Sequence, residues 1–206
     1  MKGTTHIAFG ATAFLLVDGV THFAHAHPVL PGGDALPIGF GLCLAASVAG
    51  ALAPDLDAND STIEHEMGLV GNIVNIFIKK VLRIKHRGVT HSGVAAVFAT
   101  VAAMILGYYL GGYWDVGLAF GIGYASHIVA DGMTGSGVPL LWPADINIHF
   151  LPPYMRVTTG GALEAIWALG VSLLMALLLI TRFGMSDVGQ FIQQTMHNLG
   201  NVRFPG

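Results

Sequence analysis

Histidine and aspartate residues with the donor chemistry of a metal site recur along this chain of 206 residues. Imidazole nitrogens and carboxylate oxygens are ligands that zinc, manganese and iron accept in proteins. The 10 histidines outnumber the 9 lysines and arginines together. His127 and Asp131 are four residues apart, so a helix would present both on one face. Asp55 and Asp57 follow Pro54, after which an irregular backbone would let both carboxylates turn inward.

The remaining composition places these donors in a membrane protein. Hydrophobic residues make up 53% of the chain and charged residues 10%, with a mean hydropathy of +0.66. Soluble domains run at about 25% charged residues. This composition excludes a disordered chain, a nucleic-acid binder and a typical cytosolic enzyme. The single cysteine, Cys43, cannot form an internal disulfide.

Five largely uncharged segments predict membrane helices, each of which needs about 20 apolar residues. They lie near residues 5–23, 36–53, 91–111, 114–131 and 163–181. The predicted fold class is therefore all-α: an integral membrane helical bundle of about five spans. It forms one domain over residues 1–182, followed by a C-terminal tail over 183–206.

Two further segments are predicted near the membrane surface or the chain start. Apolar residues at three- and four-residue steps over Ile63 to Ile84 indicate an amphipathic helix on the membrane surface, or a plain linker helix covering the bundle. Lys2, an apolar run and the small-x-small sequence Ala24-His25-Ala26 also match a cleavable signal peptide. Asp18 inside that run argues against the signal peptide, and we interpret the segment as the first span.

The basic residues predict the orientation in the membrane. With five spans, one side carries most of them: Lys2, Lys79, Lys80, Arg83, Lys85, Arg87 and Arg156. The other side receives Arg182 and Arg203. The positive-inside rule makes the first side cytoplasmic, in a bacterial-type inner membrane.

The same topology brings the donors to the cytoplasmic face, at the starts of the first, third and fifth helices and the ends of the second and fourth. They are His6, Asp55, Asp57, His91, His127, Asp131 and Glu164. A lone histidine at a membrane interface is usually a hydrated polar cap, and we interpret His22, His25 and His27 on the outer side in that way. Placing an ionisable residue within a membrane span costs free energy, so such residues usually have a function.

The donor set predicts hydrolytic metal chemistry. A catalytic zinc takes about three protein ligands and keeps one position open, so the six histidine and aspartate donors imply either two ions or some supporting residues. A bound ion lowers the pKa of a water molecule to about 7. Arg87, with His86, is expected to stabilise negative charge on phosphate oxygens. Asp57 or Glu164 is expected to be a general base or an orienting carboxylate.

Three sequence blocks also carry a family resemblance. His86 to Ser92 reads HRGVTHS, Ala53 to Asp57 reads APDLD, and Tyr124 to Pro143 reads YASHIVADGMTGSGVPLLWP. In this order, and with Thr5-His6 at the start, the chain resembles the YdjM-like family of membrane-bound hydrolases, which are described as metal-dependent. The resemblance runs from His6 to about Glu164.

The resemblance implies a metal-dependent hydrolase of the inner membrane. It carries over Glu164 as a site residue, and as metal ligands His6, Asp55, Asp57, His91, His127 and Asp131. In the family the carboxylate pair is often followed by histidine, whereas this chain has Ala58 there, so a contribution from that position is absent.

The leading hypothesis is a hydrolase of a phosphoester, with a membrane lipid or a small molecule as substrate and no nucleic-acid partner. One or two divalent ions are expected, zinc first, with manganese or iron as alternatives. A metal-ion transporter or sensor is the second hypothesis, although such sites normally lie near the membrane midplane. A scaffold with a structural ion is another. A metalloprotease is disfavoured because Leu69 stands where the HExxH pattern starting at His65 needs histidine.

Overall fold

The computed structural model describes residues 1–25, 38–57, 89–144 and 146–200. Within these ranges the chain is helical and contains no strand, which confirms the all-α class. The long helices are α1 (Gly3–Thr21), α2 (Ile38–Leu52), α3 (Gly93–Tyr109), α4 (Trp114–Gly132) and α5 (Ala162–Gly200). They coincide with the five segments predicted from the apolar runs.

Two short 3-10 helices flank the bundle at the end where α2 finishes and α3 begins. Ala53–Asp57 follows α2 and contains Pro54, which lacks the N–H that a continuing α-helix needs. Val89–His91 precedes α3, and the Ser92 hydroxyl caps that helix by accepting from the Ala95 N–H at 3.1 Å. These two turns place an aspartate and a histidine at the same end of the bundle.

Helix α4 is the centre of the bundle. It packs against α1, α2 and α3, while α5 packs against α1. Glycines allow α2 and α4 to approach closely, because a Cβ on Gly123 would overlap the Ser47 backbone oxygen and a Cβ on Gly50 would overlap that of Phe120. The close approach brings the last turn of α2 against the last two turns of α4.

Beside its apolar core, the bundle buries many polar side chains and exposes many large apolar ones, unlike a soluble protein. Helix α3 has no buried residue, and its exposed side chains include Val97 and Phe98. In the most apolar part of α5, 6% of an 18-residue window is buried, so α5 is not the core helix of a soluble domain. Conversely, His6 and Asp18 of α1 are buried. This distribution is expected of a bundle surrounded by lipid.

The five long helices differ in whether their length and hydropathy suit a membrane span. In the described ranges, Ala162–Phe183 of α5 is the one helical segment long and apolar enough to cross a membrane: it has 22 residues, and its most apolar 18 have a mean hydropathy of 2.3. Helix α3, with 17 residues, is about 25 Å long against a hydrocarbon core of about 30 Å. Helices α1 and α4 contain buried polar side chains that lower their hydropathy. Five spans therefore stay a prediction.

Two other predictions concern segments at the edge of the described structure. The amphipathic helix over residues 63–84 lies outside the described residues. Helix α5 continues without a break to Gly200, past the predicted domain boundary at residue 182.

Candidate metal centre

Four side chains with ligand chemistry meet where α2 and α4 end and α3 begins. They are Asp55, His91, His127 and Asp131, and one donor atom from each lies within 4.8 Å of all the others. All four were predicted as ligands from the sequence. The antiparallel order of α2, α3 and α4 brings together residues up to 76 positions apart in the chain.

The spacing of the donor atoms suits one divalent cation. The Nε2 atoms of His91 and His127 are 3.3 Å apart, and Asp55 Oδ1 lies 3.3 and 3.7 Å from them. Asp131 Oδ2 lies 3.7 and 3.8 Å from the same nitrogens. Ligands about 2.1 Å from a tetrahedral zinc ion are themselves about 3.4 Å apart. These four residues could therefore hold a metal ion.

Both histidines of the cluster are oriented through their other ring nitrogen. His127 Nδ1 lies 2.6 Å from the Ala51 carbonyl oxygen, which can only accept, so Nδ1 carries the proton. His91 Nδ1 lies 3.1 Å from the Thr90 hydroxyl. Such partners fix the tautomer and ring orientation of metal-binding histidines. Each Nε2 is thereby directed toward the two carboxylates.

Asp55 is the member of the cluster that faces solvent. Its side chain is 27% exposed, against 4% or less for the other three. Burial acts to raise the pKa of Asp55, but the hydrogen bond to His91 and the neighbouring His127 outweigh it, so the pKa lies below its usual value. Asp55 is thus ionised at the accessible side of the cluster.

His6 lies behind the cluster. Its ring is fully buried and stacks on His127, with centroids 3.8 Å apart and an interplanar angle of 13°. His6 Nε2 lies 3.3 Å from Asp131 Oδ1, in an orientation that makes no hydrogen bond, and Nδ1 has no hydrogen-bond partner among the described residues either. The Met1 amino group donates to the same Asp131 oxygen at 2.7 Å.

Glu164 joins the start of α5 to the start of α1. Its carboxylate accepts hydrogen bonds from the Thr5 hydroxyl at 2.9 Å, from the Gly160 N–H at 2.6 Å and from the Lys2 N–H. A carboxylate beside the first turn of a helix also stabilises the helix dipole. This placement fits an orienting carboxylate one residue from His6, and the predicted role as a general base stays a prediction.

The remaining predicted site residues lie outside what the structure describes. His86 and Arg87 precede the range that begins at residue 89. For Asp57 the backbone belongs to the 3-10 helix after α2, but its side chain is among those not described. Their predicted roles at phosphate oxygens or as a base stay predictions.

Several groups around the cluster were not predicted. The Ala51 carbonyl and the Met1 amino group are backbone atoms, so no residue type marks them in a sequence. Thr90 and Thr5 each precede a site histidine in the motifs HRGVTHS and Thr5-His6. The pair was the available sign for Thr90, whose hydroxyl lies beside His91 Nδ1, whereas the Thr5 hydroxyl donates to Glu164 and not to His6.

Comparison with known proteins places the chain in a family. A family profile described as YdjM inner membrane protein matches residues 1–188. The chain is 36% identical over 144 residues to the inner membrane protein YdjM of Escherichia coli (strain K12), and equally to that of Shigella flexneri, covering 68% of this chain and 66% of each relative.

A third relative is the uncharacterized protein YvsG of Bacillus subtilis (strain 168), 30% identical over 175 residues, which cover 84% of this chain and 91% of YvsG. No solved structure matches. The family profile and the two inner membrane relatives also support placement in a bacterial inner membrane. The chain belongs to the YdjM family of inner membrane proteins.

Proposed function

We propose that this protein is a metal-dependent hydrolase that acts on a phosphoester at the cytoplasmic face of the inner membrane, with all five helices crossing the bilayer. The observation that carries the proposal is the cluster of Asp55, His91, His127 and Asp131, in which three members are buried and the fourth is open to solvent. A catalytic ion needs such an open side, whereas a structural ion is enclosed by its ligands.

The residues of this centre would have different roles. A bound divalent ion supplies positive charge to a phosphoryl oxygen and lowers the pKa of a water molecule. His91 and His127 would hold the ion through Nε2, since Thr90 and Ala51 occupy their Nδ1 atoms. Asp55, ionised and exposed, lies where a substrate would enter.

The connection between α4 and α5 supports a lipid substrate. It is fixed beside the cluster by hydrogen bonds from the Phe150 N–H to the Gly132 oxygen at 2.8 Å and from the Gly93 N–H to the Leu140 oxygen at 2.9 Å. This connection nevertheless exposes a series of large apolar side chains: Leu141, Trp142, Ile146, Phe150, Tyr154 and Met155. Aromatic and aliphatic residues at helix ends are typical of the headgroup level of a bilayer.

A structural ion that clamps α2, α3 and α4 together is the second candidate. It is supported by the burial of His91, His127 and Asp131, because a structural ion is enclosed by its ligands and only one side of this cluster is accessible. Hydrolysis distinguishes the two candidates, because a structural ion would be retained without any turnover.

The first experiment measures metal. The full chain, purified in detergent, is analysed for bound metal as the wild type, as His91→Ala and as the control His149→Ala. His149 is half-buried, and its ring contacts the Gly135 oxygen of the α4–α5 connection. We expect at least one ion per chain in the wild type and the control, and near-zero metal in His91→Ala. Absence of metal from the wild type, or an unchanged metal content in His91→Ala, would show that these residues do not form a metal centre.

The second experiment measures turnover on two probes, phosphatidate in phospholipid vesicles and soluble p-nitrophenyl phosphate. Phosphate release that needs metal and is lost in His91→Ala supports the hydrolase. Tyr154→Ser, which alters a side chain 82% exposed, should lower the rate on vesicles a few-fold and leave the soluble probe unchanged. Bound metal without turnover on either probe leaves the structural ion as the function.

A further inference from the structure

His6 is a buried histidine whose polar atoms are not satisfied by the residues that the structure describes. Its side chain is fully buried, and neither ring nitrogen has a hydrogen-bond partner among the described residues. Buried polar groups in native proteins are almost always hydrogen-bonded or coordinate a metal. The unpartnered nitrogens therefore indicate a ligand other than the described protein atoms.

Asp131 offers its two oxygens to two different sets of groups. Oδ2 faces the Nε2 atoms of His91 and His127 at 3.7 and 3.8 Å. Oδ1 faces His6 Nε2 at 3.3 Å and the Met1 amino group at 2.7 Å. A carboxylate with nitrogen donors on both sides is placed as a bridge between two cations.

The stacking of His6 on His127 gives the spacing of such a pair. The two rings are parallel within 13°, with centroids 3.8 Å apart. In two-metal hydrolytic sites the ions are about 3.5–4 Å apart. Parallel imidazoles at this separation, beside opposite oxygens of one carboxylate, suit one ligand for each of two neighbouring ions.

We infer that the centre has a second cation position, in which His6 Nε2 and Asp131 Oδ1 are ligands and Asp131 bridges to the first position. This inference rests on the proposed function, whose phosphoester substrate class it supports. A pair of adjacent cations suits phosphoryl transfer, since two ions can stabilise both the attacking and the leaving oxygen of an in-line displacement. Phosphate esters are thus favoured over carboxylic esters.

The Met1 amino group offers a competing explanation for the same geometry. As an ammonium ion 2.7 Å from Oδ1, it neutralises Asp131 without any second metal, and His6 would then be a packing residue. As a neutral amine it would be a third donor at the second position. The two explanations differ in metal stoichiometry, which can be measured without any assay of activity.

The experiment counts ions and tests whether they are coupled. The full chain in detergent is loaded with Mn²⁺, freed of excess, and measured for manganese per chain and by electron paramagnetic resonance. We expect two ions per chain and an exchange-coupled spectrum in the wild type and in the control His149→Ala. In His6→Ala we expect one ion per chain and an uncoupled spectrum.

Each outcome separates the two proposals. No bound manganese in the wild type overturns the proposed function together with the second position. One ion, uncoupled and unaffected by His6→Ala, overturns the second position and leaves the proposed function standing. Two ions that persist in His6→Ala overturn the assignment to His6. Should His6→Ala fail to fold, the wild-type stoichiometry and spectrum decide, since an uncoupled single ion there already refutes the pair.

Discussion

The bundle buries acidic residues at both of its ends, but the groups that surround these residues differ between the two ends. At the end where α1 finishes and α4 begins, Asp18 and Asp115 are 1% and 0% exposed. At the other end Asp131 is buried beside His91 and His127. Along α4, Asp115 and Asp131 are separated by about 24 Å of helix. Both ends thus carry the desolvation cost of buried carboxylates.

At the first end the carboxylates are surrounded by hydrogen-bond donors. Asp18 accepts from the Ala24 N–H at 3.0 Å and from Arg182 Nη2 at 3.3 Å, and Arg182 Nη1 lies 3.1 Å from His22 Nδ1. Asp115 accepts from its neighbouring backbone N–H at 2.8 Å. The protein itself therefore supplies the positive charge and the protons at this end.

At the metal end, which holds the cluster, the Met1 amino group donates to Asp131 Oδ1 at 2.7 Å, but Asp131 Oδ2 faces only histidine nitrogens, which accept when the ring is neutral with Nδ1 protonated. The Nε2 atoms of His91 and His127 are 3.3 Å apart, so at most one proton fits between them. Because His127 Nδ1 carries its proton toward the Ala51 oxygen, its Nε2 presents a lone pair unless the ring is protonated. The comparison teaches that buried charge alone does not mark a site, whereas converging lone pairs do.

The largest expected effect comes from neutralising one carboxylate at each end. Asp131→Asn should reduce bound metal to near zero and abolish turnover, because it removes the charge that would face both cation positions. Asp18→Asn should leave metal unchanged and lower the free energy of unfolding by about 1–3 kcal/mol, since Arg182 loses its carboxylate partner. Elemental analysis and thermal unfolding in one detergent measure both.

Equal metal loss in the two variants would show that the ends are not independent. An unchanged metal content in Asp131→Asn would show that Asp131 is not a ligand in the centre.

Much of this contrast was accessible from the sequence. The positions of the five helices follow from apolar runs, and the convergence of Asp55, His91, His127 and Asp131 follows from which helix ends share a face. His22 was interpreted as a polar cap on the outer side; it lies beside Arg182, at the end of the bundle away from the cluster, while the side of the membrane stays a prediction. These inferences succeed because helix length and direction alone decide which end a residue reaches.

The remaining features depend on side-chain directions and distant pairings that no local pattern encodes. Asp18 pairs with Arg182, which is 164 residues away in the chain, and Glu164 accepts a hydrogen bond from Thr5, near the start of the chain. The division of Asp131 between two sets of donors depends on one carboxylate rotamer. The number of spans likewise does not follow from hydropathy, because buried polar residues make α1 and α4 resemble soluble helices.

A smaller effect is expected from the groups that orient the histidines. Thr90→Val removes the hydroxyl that lies 3.1 Å from His91 Nδ1 and should weaken metal affinity about 10–100-fold, the usual cost of losing an outer hydrogen bond to a ligand. The matched control at the other end is Thr181→Val, whose hydroxyl donates to the Leu178 oxygen within its own helix. Competition with a chromophoric chelator gives both affinities. Equal affinity in the two variants would mean that His91 needs no orienting partner.

The smallest effect is expected at Glu164, where the sequence left two roles open. In the structure its carboxylate holds the N–H groups of Lys2 and Gly160 and the Thr5 hydroxyl, so Glu164→Gln should loosen the start of α1. Turnover on phosphatidate should fall less than about 10-fold, whereas loss of a general base costs about 100-fold or more. The unfolding temperature should fall, and the pH dependence of the rate should keep its shape. A fall beyond 100-fold with the acid limb of the profile abolished would instead make Glu164 the base, and the metal end would then extend to the start of α5.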